Sequence, residues 1–264
     1  MAENQDKKSI EKAFEKKLTF PTETIDLPSK GKAYPKDSPL SEGKIELKYM
    51  TTKEEDILTS QNLIKKGLVV DKLLNSLIVT PGITTDDLLI GDKNAIMVAA
   101  RILAYGGDYQ VEVMNPADGD KFNHTFDLTA LEFKHPVEGI DYSENNFTLE
   151  LPVSKVTITF KLLDGKDERS IDTQIKSLKK VGSSSEVSTR LKHVVTSVNG
   201  DDSKQTINTF VENMLSKESL ILRDEIARLN PDIELSQDVE MPDGETVSLA
   251  IPMTVEFFWP KAGR

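Results

Sequence analysis

The chain has 264 residues and a mass of 29.4 kDa, enough for a sizeable hydrophobic core arranged as one large domain or two small ones. Lys and Arg number 33 against 44 Asp and Glu, a net charge of -11, so the average surface repels a polyanion and general nucleic-acid binding is disfavoured. There is no cysteine, which excludes disulfides, thiolate metal sites and cysteine nucleophiles together.

Met1 to Leu18 is too polar for a signal peptide, and no stretch reaches the length of a membrane span, so a cytoplasmic setting is expected. Ile10, Ala13, Phe14 and Leu18 form one narrow helical stripe that buries too little to order itself, so the segment frays or docks on something else. From Thr19 to Gly43, four prolines and two glycines resist helix, and the sequence predicts an extended arm over residues 1–43.

Lys44 to Met50 alternates polar and apolar residues, the period of a half-buried strand. Thr52 and Glu55 match a capping box, which opens a helix ending near Gly67. Val70, Leu73, Leu74, Leu77 and Ile78 predict a second helix before the Pro81-Gly82 turn. Thr84 to Asp87 opens a short helix that Gly91 ends, and Asp92 caps a central helix over Lys93 to Tyr105.

Tyr109, Val111 and Val113 then alternate with polar residues, a turn-rich Asn115 to Asp120 follows, and Phe122, Phe126 and Leu128 return, which predicts a hairpin. Phe147 to Phe160 supplies two more strands broken at Pro152. Helices are expected to resume over Asp167 to Lys180, along the stripe Val187, Leu191, Val194, Val195 and Val198, and along Ile207, Phe210, Val211, Met214 and Leu215. Ser216 caps a last helix with Leu220, Ile221, Ile226 and Leu229 inward, ended by Asn230-Pro231. Residues 237–245 repeat the plan of 109–120: strand, proline, Asp-Gly turn, strand.

These elements predict an α+β fold of two mainly helical regions, each followed by a small antiparallel β-ribbon, with an extended N-terminal arm. The expected divisions are the arm at 1–43, a helical region at 44–107, a β-rich ribbon region at 108–163, a C-terminal helical region at 164–231 and a C-terminal β-ribbon at 232–264.

No phosphate-cradling loop, dinucleotide fingerprint, Gly-x-Ser-x-Gly elbow or His-Glu-x-x-His pair is present. His124, His135 and His193 fit neutral strand or helix positions. Glu54, Glu55 and Asp56 suit the first turn of a helix, where the dipole favours anions; a carboxylate-based hydrolase using them is the enzymatic alternative. The acidic stretches at 164–168 and 199–202 lack the ligand spacing of a calcium loop and read as turns. Asn123 and Asn146 open glycosylation motifs that carry no weight without a secretory signal. Phe257-Phe258-Trp259-Pro260 reads either as a final core strand or as an aromatic anchor for a partner.

Four blocks carry a resemblance: Leu27 to Pro35, Lys48 to Leu58, Leu89 to Ile96 continuing through Arg101 to Gly106, and Val255 to Pro260. In order and spacing they resemble the baseplate hub assembly family of T-even-like contractile-tailed bacteriophages. The resemblance implies a non-enzymatic protein that helps to build the hub by binding other baseplate hub and tail proteins in the host cytoplasm. Nucleic acid, membrane and small-molecule substrates are not implied. The Cys-x-x-Cys knuckles associated with that family's ribbons are replaced here by Asn115-Pro116-Ala117-Asp118 and Met241-Pro242-Asp243-Gly244, so zinc is not carried over. No catalytic, cofactor or metal residue is assigned; Ile10, Phe14, Tyr34, Phe258 and Trp259 are the candidate partner contacts. The expected role is an assembly chaperone, with a permanent hub subunit as the alternative.

Overall fold

The first strand pair sets the frame. A computed structural model describes residues 21–116, 119–180, 182, 185–241 and 244–258. In it β1 (Thr22–Asp26) pairs antiparallel with β2 (Lys44–Lys48), Thr22 opposite Lys48 and Asp26 opposite Lys44. The alternation in β2 buries Ile45 and Leu47, as the period-two pattern requires.

Between these strands the chain does not extend. Residues 27–43 fold back in successive turns, with Lys30 donating to the carbonyl of Leu27, Lys32 to that of Ser29 and Tyr34 to that of Gly31. Gly31 adopts φ 75°, and a Cβ there would lie 2.2 Å from the Ser41 carbonyl oxygen, so the loop closes tightly only without a side chain. Leu27, Ala33, Tyr34 and Leu40 are buried. Over residues 21–43 the segment that the sequence reads as part of an extended arm forms β1 and a packed loop, in which the prolines that forbid helix serve as turn formers. Residues 1–20 lie outside the described residues.

The helical region follows as α1 (Thr52–Thr59), α2 (Gln61–Lys66), α3 (Val69–Leu77) and α4 (Ile90–Tyr105). The capping box forms one residue earlier than the sequence suggests, on Thr51 and Glu54. Gly91 and Asp92 belong to the first turn of α4 instead of ending one helix and capping another. The reason for a glycine there is contact: a Cβ on Gly91 would lie 1.9 Å from the carbonyl oxygen of Pro231.

Two ribbons stand where alternation places them. β3 (Asp108–Met114) pairs with β4 (Lys121–Asp127), and β10 (Ser236–Glu240) pairs with β11 (Thr246–Ala250). Short strands β5 (Phe133–Lys134) and β9 (Asp232–Ile233) join the middle of the chain to its end. A three-stranded antiparallel sheet is built from β6 (Phe147–Glu150), β7 (Thr157–Phe160) and β8 (Val195–Val198).

The remaining helices are α5 (Gly165–Lys180), α6 (Glu186–Val194), α7 (Lys204–Asn213) and α8 (Ser216–Leu229). Two expectations change here. The stripe from Val187 stops being helical at Val194, and Val195 to Val198 pairs with β7, because β-branched residues satisfy a strand as well as a helix. In α8 Leu229 is buried as expected and Ile221 and Ile226 are half-buried, but Leu220 is exposed and Leu222 is buried in addition. One buried apolar cluster extends from Leu27 to Phe258, giving the α+β architecture a single shared core.

Candidate functional site

Three of the four resemblance-bearing blocks meet inside the molecule. Asp92, in the first turn of α4, accepts the amide of Ser29 at 2.9 Å on Oδ1 and the hydroxyl of Tyr34 at 2.6 Å on Oδ2. The Tyr34 oxygen in turn accepts the amide of Leu89 at 2.9 Å. Asp92 and Ser29 are fully buried and Tyr34 nearly so. Burial pushes the Asp92 carboxyl above its ordinary range, against the donors from Tyr34 and Ser29. Burial and the neighbouring carboxylate push the Tyr34 phenol well above its ordinary value, so it remains a donor.

A second knot lies at the head of α1. Glu54 takes the amide of Thr51 at 3.0 Å and its hydroxyl at 2.6 Å on Oε2, while Lys48 reaches Oε1 at 2.8 Å. Burial opposes ionisation of Glu54, but these donors outweigh it and hold the carboxyl below its usual value. Glu55 accepts the Tyr105 hydroxyl at 3.0 Å, and burial with that carboxylate raises the phenol to about 12. The carboxylates offered by the hydrolase alternative thus include one fully buried group and one tied to α4. Glu54 and Glu55 fasten elements together, the first within the head of α1 and to β2, the second to α4.

Arg101 fastens the other end of α4, donating to the carbonyls of Gly106 at 2.9 Å and Asp108 at 3.1 Å, with the rings of Tyr105 and Tyr109 beside it. Gln237 joins the two ribbons: its side-chain amide pairs with both backbone groups of Asp127. Phe257 packs edge-on against Tyr109 at 5.0 Å and against Phe258 at 5.1 Å. Aromatic packing and an amide pair meet at the roots of these ribbons. Among the described residues no group of three or more His, Asp or Glu side chains is arranged to hold a metal ion.

The histidines sit on separate elements: His124 against Phe126, His135 with Nδ1 3.1 Å from the Pro28 carbonyl, and His193 on α6, its pKa lowered by burial. Among the described residues no helix is long and apolar enough to cross a membrane.

Two of the expected partner contacts are packed within this chain. Tyr34 is consumed by Asp92 and Leu89, and Phe258 is 0% exposed within the aromatic cluster. Ile10, Phe14 and Trp259 lie outside the described residues. Sequence reasoning passed over Glu218, which is buried on α8 and accepts the amides of Val153 at 3.0 Å and Ser154 at 2.7 Å, together with the Ser154 hydroxyl at 3.0 Å. Its sequence neighbours Lys217 and Ser219 are polar, and the one signal that could have found it is its place a turn before Leu222, on the face of α8 that is buried.

No curated protein and no solved structure matches the chain. A family model does, over residues 20–259, and its span takes in the Ser29–Tyr34–Asp92 knot, the Glu54 box and both ribbons. The chain belongs to the T4 bacteriophage base plate protein family.

Proposed function

We propose that this baseplate protein is an assembly factor of the hub, binding other tail proteins without covalent chemistry and departing once the hub has formed. The observation that carries the reading is the family match across residues 20–259. The internal use of Asp92, Glu54, Glu55 and Glu218 supports a binding role, because the acidic groups best placed for chemistry are committed to holding the fold. Residues 1–20, with Ile10 and Phe14, and Trp259 near the other end are the proposed contacts with hub proteins in the host cytoplasm.

Mass spectrometry of purified virions tests the departure: an assembly factor is missing from finished particles. A stoichiometric signal would identify a permanent subunit instead. Affinity capture from infected cells, using the full chain beside one lacking residues 1–20, tests the contact. The shortened chain should recover markedly less hub protein; equal recovery would refute the role of that segment. The deletion stops at residue 20 because residues 21–43 are built into the core.

A further inference from the structure

Helices α6 and α8 leave a furrow between them. Adjoining cavities of about 560 and 410 Å³ share Glu186, Val187, Leu191 and Arg223 as lining residues and so form one channel along α6. Val187, Leu191 and Val194 share one helical face along it. Leu191 and Val194 are buried, but Val187 is 54% exposed, so the apolar stripe runs from the core into solvent. Met214 continues the apolar lining in one cavity and Ile226 in the other.

The charges of the furrow are unequally used. Glu186 pairs with Lys179 and Arg190 with Glu168. Arg223 makes one bond, from Nε to the Ser219 carbonyl of its own helix, so among the described residues its terminal amino groups meet no carboxylate. A guanidinium beside an exposed apolar stripe favours a ligand that brings both apolar surface and an anion.

We propose that this furrow docks a short amphipathic segment of a partner protein, apolar on one side and bearing a carboxylate that pairs with Arg223. The inference rests on the hub-binding role above and adds the chemistry of one partner segment. The chain's own residues 10–18 carry Glu11 and Glu15 beside Ile10 and Phe14, but Lys12, Lys16 and Lys17 leave the segment net positive, a poorer match to Arg223 than a net-negative segment of a partner. A second copy also carries a net charge of -11, and two such surfaces repel on average.

The test places the photo-crosslinking residue p-benzoylphenylalanine at Val187 in the full chain in infected cells and maps the adducts by mass spectrometry. The expected adduct lies on another baseplate protein, in an apolar segment with Asp or Glu within one helical turn. Its yield should fall about tenfold with Arg223→Glu and survive Arg223→Lys. An adduct within residues 1–20, on a second copy or on a segment without acidic residues would overturn the proposal. So would a yield indifferent to Arg223→Glu, or no adduct. Affinity capture of the unlabelled chain separates the two claims: baseplate proteins captured without the expected adduct refute the furrow alone, and their loss from the capture refutes the hub-binding role.

Discussion

Tyr34 and Asp92, 58 residues apart in the chain, are joined by a 2.6 Å hydrogen bond in the interior, and the same tyrosine oxygen receives the Leu89 amide. Tyr34→Phe strands both a carboxylate oxygen and an amide, and should cost about 1–3 kcal/mol. Urea unfolding reads the loss. Because Asp92→Asn weakens the same contact, the double variant should lose less than the sum of the single variants. Additive losses would show that the two residues act independently.

Glu218 gives the protein an acid-sensitive clasp. Burial opposes its ionisation, but the donors from Ser154 and Val153 outweigh that and hold its pKa below the ordinary 4.5. The unfolded chain therefore binds the proton more readily. The stabilisation is present above pH 4.5 and drains away as the pH falls through the lowered folded value. Glu218→Gln should be less stable by about 1 kcal/mol at pH 7, with the gap closing below pH 4.5. Asp92, with a raised pKa, acts in the opposite sense: its contribution declines as the pH rises above the ordinary 3.8. Chemical denaturation of both proteins from pH 7 to pH 3 measures the gap; a constant difference would contradict the clasp.

Gly91 and Gly165 mark backbone approaches too close for a side chain. A Cβ would lie 1.9 Å from the Pro231 oxygen in the first case and 1.9 Å from the Thr85 oxygen in the second. Gly91→Ala should destabilise by about 3 kcal/mol despite the better helix propensity of alanine. Thermal melting detects it, and an unchanged transition would mean that α4 and the Pro231 backbone separate freely.

Gln237→Ala should loosen the ribbons while sparing the core. The Asp127 amide loses its acceptor, and its hydrogen exchange should quicken. Global stability should move by no more than about 0.5 kcal/mol, since this junction is exposed. Unaltered exchange at Asp127 would indicate that the aromatic cluster alone holds the ribbons in place.

The ribbons and α4 were legible because alternation at Tyr109, Val111 and Val113, and an apolar run through Ala95 to Ala100, each fit one period. The capping box was displaced because Thr51-Thr52-Lys53-Glu54-Glu55 offers two frames, and only the one selected here brings Glu54 to Lys48. Val195 to Val198 was misread as helix because its pairing partner, β7, lies more than 30 residues earlier. Asp92 read as a helix cap by local grammar, while its role is set by Ser29 and Tyr34, which local grammar cannot reach. The furrow on α6 was hidden for a related reason: Val187 looks like any core valine until the neighbouring helix fails to cover it.

The contact between α4 and the Pro231–Asp232 backbone also carries a consequence for biosynthesis. Asn94 reaches Asp232 across 138 residues, and Gly91 lies beneath Pro231. The ribosome releases the middle helix well before the segment that shields its first turn. A prematurely terminated product lacking that segment would keep the shielded backbone open to water and proteases. The protection of that first turn is thereby completed only when the late segment has been made and has docked.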